Sequence, residues 1–108
     1  LQLAPHFYWT SPNFLWSMPE AMQQTFQRAA LVILKGDANY RRAVGDALWV
    51  PTTPFSHVLS YFPAPLLALR TMKSDPIVGL QKGDAEHLDS IDAEWRLNGR
   101  RGVIQLKV

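Results

Sequence analysis

Residues 31–42 constrain this chain more than any other stretch. Leu31-Val32-Ile33-Leu34 runs straight into Lys35-Gly36-Asp37-Ala38-Asn39-Tyr40-Arg41-Arg42. The first four side chains are apolar on both faces, as in a short strand buried in a parallel sheet. Glycine breaks the run, and an acid, an amide, a phenol and two guanidinium groups follow at once. In an open α/β sheet, ligands bind beyond the carboxyl ends of the strands. A polar cluster at that point reads as one wall of a site.

The rest of the chain supports an α/β reading. Ser17-Met18-Pro19-Glu20 has the spacing of a capping box, and Met18, Met22, Phe26, Ala29 and Ala30 form one face of a helix from about 18 to 29. Residues 38–44 fit a short helix stopped by Gly45-Asp46. Pro51, Pro54, Pro63 and Pro65 make 48–65 a loop with at most one helical turn near Ser56–Tyr61. Leu66 to Met72 reads as a second strand. A helix capped by Asp84 spans about 85–97, with Leu88, Ile91 and Trp95 on one face, and Val103 to Val108 is a third strand. Helices alternating with strands predict an α/β layer with a mixed or parallel sheet. The four tryptophans read as core, with pocket lining the alternative for Trp9 and Trp49, which sit near polar segments.

Composition narrows the classes. The chain has 108 residues, 47% hydrophobic and 19% charged, which suits one small folded domain. A net charge of +2 is too small a surplus for a nucleic-acid footprint, although the pI is about 9.2. The aromatics do not alternate as an RNA-stacking platform on strands. With no cysteine, disulfides and thiol chemistry are excluded. No apolar run approaches a membrane span, and residues 1–16 lack the cationic start of a signal peptide. These features suit a cytoplasmic protein without nucleic-acid or membrane partners. The start without Met, inside an aromatic segment, reads as a piece of a larger protein.

Lys35, Arg41, Arg42, Arg70 and Lys73 are five cations near two strand ends. With Asn39, Tyr40 and Thr71 they form a candidate anion pocket, since arginine grips phosphate or carboxylate bidentately and lysine adds a point charge. Asp37 has three open roles: divalent-ion ligand, partner of a sugar hydroxyl, or cap of the helix at 38–44. His6, His57 and His87 are too scattered for metal-ligand spacing. There is no phosphate-binding glycine loop and no G-x-S-x-G elbow.

Two of these segments carry a resemblance. Lys35-Gly36-Asp37-Ala38-Asn39-Tyr40-Arg41 resembles the K-G-D-x-N-Y-R segment of the metal-dependent damage-control phosphatases, and Arg70-Thr71-Met72-Lys73 resembles the R-T-x-K motif of their sugar-phosphate subgroup, which includes the acidic-residue methyltransferase-like proteins. The likeness runs from about Phe7 to Gln105. It implies the C-terminal part of an α/β/α three-layer sandwich. The implied activity is hydrolysis of small phosphometabolites such as fructose 1-phosphate or fructose 6-phosphate with Mn²⁺, Co²⁺, Ni²⁺ or Mg²⁺; a protein-glutamate O-methyltransferase activity ranks lower. Asp37, Ala38, Asn39, Tyr40, Arg41 and Lys73 would contact substrate, with Lys35 and Arg70 as further phosphate contacts. The family's metal ligands lie in an upstream part that residues 1–30 do not supply; Asn13 and Glu20 are the only candidates there, and neither sits in the motif. The alternative is an inactive fragment that binds a phosphorylated ligand or a partner chain.

Overall fold

A computed structural model describes residues 1–108. Three strands form one mixed sheet in the order β1-β2-β3: β1 (Val32–Lys35), β2 (Leu66–Thr71) and β3 (Gly102–Lys107). β1 runs parallel to β2, with Leu34 opposite Ala68. β3 is antiparallel to β2, with Gln105 opposite Ala68. The α/β class and the mixed sheet are those expected from the alternation of strand and helix patterns.

Four helices accompany the strands: α1 (Glu20–Gln27), α2 (Asp37–Val44), the single turn α3 (Phe55–Val58) and α4 (Asp84–Ile91). α2 buries Tyr40, Ala43 and Val44, spaced by three and one, which is one helical stripe. Its acid lies in the first turn and its arginines in the last, the arrangement favoured by the helix dipole. Two glycines bound it. Gly36 precedes it at φ 102° and Gly45 ends it at φ 91°, both in the region that side chains avoid. Gly45 also lies under Trp16, whose ring would stand 2.4 Å from an added Cβ.

Several local expectations differ from the structure. The capping box does not form. Pro19 takes the cap position, and Ser17 closes a short 3₁₀ turn instead, because a residue before proline is driven to extended backbone and Met18 adopts ψ 146°. α4 stops at Ile91 rather than near 97. Asp92 leaves helical geometry at φ −160°, and its carboxylate accepts hydrogen bonds from the Glu94 amide, the Asn98 amide group and Arg101. Trp95 is nonetheless buried, its Nε1 donating to Asp89 Oδ1 at 2.7 Å. It is the only tryptophan in the core. Trp9 and Trp16 are exposed and Trp49 is half-buried.

The sheet has one covered face and one bare face. Side chains alternate along each strand, so Val32, Leu34, Leu66, Ala68 and Arg70 face the core, where Leu34, Leu66, Ala68 and Arg70 are buried. Leu34 is thus buried on one side only, and β1 is not apolar-buried on both faces as expected. The opposite face carries Ile33, Ile104 and Leu106 at 60%, 78% and 56% exposure.

Candidate active site

The two polar segments meet at the carboxyl ends of the parallel strands. An open groove of about 520 Å³ lies there, lined by Lys35, Gly36 and Asp37 after β1, Leu69 to Thr71 and Lys73 at the end of β2, and Gly102 to Ile104 of β3. β1 and β2 run in register, with Lys35 opposite Leu69. That register carries Asp37 and Lys73, distant in sequence, to one rim.

Asp37 does not cap α2. Gly36 holds the cap position without any side-chain bond, and the Asp37 carboxylate points across to the end of β2. Its Oδ1 accepts from Arg70 Nε at 2.8 Å and from the Lys73 backbone amide at 3.3 Å. The Ser74 hydroxyl donates to both carboxylate oxygens at 3.0 and 2.9 Å. Partial burial pushes this carboxyl up. The bonds from Ser74 and Arg70, with the Arg70 charge and the Lys73 amide, outweigh that and hold it below the ordinary carboxylate value.

The Arg70 side chain is fully buried. Besides Asp37, it donates to the Pro76 carbonyl and, at 2.9 Å each, to the Ser74 carbonyl and hydroxyl. Its guanidinium lies 4.3 Å from the centre of the Tyr40 ring, a cation–π contact. Tyr40 is buried too. Its hydroxyl donates to Gln105 Oε1 at 2.8 Å and accepts from the Val78 amide at 3.3 Å. Burial raises the phenol's pKa and keeps it neutral.

The five cations do not converge. Lys35 and Lys73 are exposed on the groove and join none of the three ion pairs in the chain, Arg41–Asp46, Arg70–Asp37 and Arg101–Asp92. Arg41 lies one turn along α2 from Asp37 and reaches onward, gripping Asp46 with two bonds of 2.8 Å. Arg42 turns to the aromatic N-terminal segment and donates to the carbonyls of Tyr8, Trp9 and Asn13. Asn39 reaches back to the Lys35 carbonyl at 2.9 Å. Of the expected site residues, Asp37, Lys73, Lys35 and Arg70 line the groove. Ala38, Asn39, Tyr40 and Arg41 lie behind it on α2. Ser74 was not among the expected residues, because nothing in its sequence neighbourhood announces a partner 37 positions away.

The groove alone does not fit a divalent cation. Its one carboxylate already holds a guanidinium and a hydroxyl, and the other charged side chains of the lining are cations, whereas a hard cation needs several free oxygens. No three His, Asp or Glu side chains converge elsewhere in the chain. What the groove offers is fixed positive charge at an open rim, with an apolar floor of Leu69, Val103 and Ile104.

The profile of the damage-control phosphatase ARMT1-like domain matches residues 1–88. Over 104 residues, 93% of this chain, the sequence is 43% identical to the damage-control phosphatase ARMT1 of Rattus norvegicus and 38% identical to that of Homo sapiens. The Xenopus laevis protein of the same name is 43% identical over 105 residues, 94% of the chain. The chain spans about a quarter of the length of these relatives, 24% in each case. No helix is long and apolar enough to cross a membrane. With its domain profile and its relatives in agreement over most of its length, the chain belongs to the ARMT1-like damage-control phosphatases.

Proposed function

We propose that this chain is the substrate-binding, C-terminal part of a cytoplasmic, metal-dependent phosphatase acting on small phosphometabolites such as fructose 1-phosphate or fructose 6-phosphate. One observation carries the reading: two lysines without protein partners, Lys35 and Lys73, flank a groove whose only acid is tied to Arg70. A phosphate monoester brings about two negative charges and three acceptor oxygens, and ammonium groups at an open rim suit it. The first amides of α2, which begins at Asp37 on the groove, have no partner within the helix and favour an anion there. Asp37, held ionised, is an acceptor for a sugar hydroxyl. The divalent metal, Mn²⁺, Co²⁺, Ni²⁺ or Mg²⁺, takes its ligands from outside these residues.

The test is colorimetric phosphate release from fructose phosphates by the full-length polypeptide carrying this chain, with Mn²⁺. Lys73→Ala is expected to raise KM about tenfold or more, the loss of one charge-assisted contact. A Lys73→Ala or Asp37→Ala protein with unchanged kinetics would sink the assignment.

A second reading follows from the absence of a ligand cluster within the chain. On that reading the chain binds a phosphorylated ligand or a partner chain without turning anything over. Calorimetry and phosphate release with fructose 6-phosphate and Mn²⁺, both on the full-length polypeptide, separate the two: binding without phosphate release favours the binder.

A further inference from the structure

We propose that Arg70 and Ser74 are positioning residues for the anion site, locking the Asp37 carboxylate and the turn at 73–76 into one unit that sets where the Lys73 ammonium stands. This rests on the reading of Lys73 as a phosphate contact.

The turn after β2 has no regular structure of its own. Its shape is held by side chains. Arg70 takes the Ser74 carbonyl and hydroxyl with Nη2, the Pro76 carbonyl with Nη1 and Asp37 with Nε. These directions need a planar fork, which an ammonium does not provide. The Ser74 hydroxyl completes a closed ring: it accepts from Arg70 and donates to Asp37. The Asp37 carboxylate closes the unit by accepting the Lys73 amide.

Lys73 is therefore pinned on both sides. On one side Met72 is buried, with its amide bonded to the Arg101 carbonyl at 2.8 Å. On the other side stands Ser74. Only the Lys73 side chain is left to the groove. Arg70 has four of its five N–H donors bonded within this unit and its face on Tyr40. It acts through the turn.

The experiment compares Ser74→Ala, Ser74→Thr and Lys73→Ala in the full-length polypeptide with Mn²⁺ and a fructose phosphate. Ser74→Ala is expected to raise KM about tenfold, the loss of one hydrogen bond to a charged group, with kcat nearly unchanged. Ser74→Thr, which keeps the hydroxyl, restores KM. If Ser74→Ala does not fold, Ser74→Cys, a weak donor of similar size, is read in its place. Wild-type KM in Ser74→Ala beside a raised KM in Lys73→Ala overturns the proposal. If Lys73→Ala is also silent, the phosphatase assignment of Lys73 fails separately. Carboxyl ¹³C titration of Asp37 then decides: a midpoint moved up in Ser74→Ala supports the locked unit, and an unmoved one overturns it.

Discussion

The Arg70 guanidinium lies 4.3 Å from the centre of the Tyr40 ring, which places a full positive charge on a buried aromatic face and aims its edge at Asp37. The charge is tolerated because every side of it is used. Tyr40 takes the flat face, Asp37 neutralises it, and two loop carbonyls accept what is left. The same set of contacts joins the core to the rim of the groove.

Removing the cation leaves an ionised carboxylate partly buried and two carbonyls without donors. Arg70→Ala is therefore expected to cost about 3–5 kcal/mol of stability, the usual range for breaking a buried pair on one side. Urea denaturation of the variant checks this. The double variant with Asp37→Ala should lose less than the two single losses combined, because the partners share one interaction.

Acid should weaken the fold through the same carboxylate. Asp37 is held below its ordinary value in the folded chain, so the unfolded chain takes up that proton first as pH falls. Its contribution is complete above about pH 4, the value of a free aspartate, and is lost as pH drops through the folded value. Melting curves from pH 7 to 2 should show a steeper fall for the native chain than for Asp37→Asn. Asp46 and Asp92 are lowered in the same direction by Arg41 and by Asn98 with Arg101, and they form a common background in both proteins.

Tyr40→Phe removes one hydroxyl and leaves the ring under Arg70. The Gln105 Oε1 and the Val78 amide then lose their shared partner, at a cost of about 1–3 kcal/mol for unsatisfied buried groups. Thermal unfolding measures the loss.

The two glycines that bound α2 should respond differently to alanine. Each has positive φ, and a side chain there costs about 1–2 kcal/mol. At Gly36 a Cβ meets open space, so the cost is confined to the backbone. At Gly45 the Cβ would meet Trp16 at 2.4 Å, and the indole, packed edge-on against Tyr61 at 6.1 Å, must move. Near-ultraviolet circular dichroism should change for Gly45→Ala and stay as in the native chain for Gly36→Ala.

The alternation of helix and strand was legible because glycine and proline punctuate this sequence sharply: Gly36 and Gly45 bound α2, Pro54 caps α3 and Pro65 directly precedes β2. The helix ends were less legible. The pattern Leu88, Ile91, Trp95 suggested continuation, yet Asp92 finds better partners in Asn98 and Arg101 than a helix provides. The Ser17 capping box failed because Pro19 takes the cap position two residues later.

At the site, the meeting of residues 35–37 with 70–73 was legible from strand-end chemistry. The division of labour among the cations was not. Arg41 and Arg42 read the same as Lys35 in sequence, but Asp46 and the carbonyls of the aromatic segment capture them locally. Arg70 reads as one more cation of an anion pocket until β2 is placed in the middle of the sheet and its alternation turns residue 70 inward. Ser74 acquires its role only through that turn.

By the strand register, Lys35, Leu69, Thr71 and Ile104 stand on the same side of the sheet as Ile33 and Leu106. Whatever seats itself on the aliphatic part of that side also becomes the ceiling of the cationic groove. A cover on that side would shield the sheet from water and enclose a ligand in a single structural event.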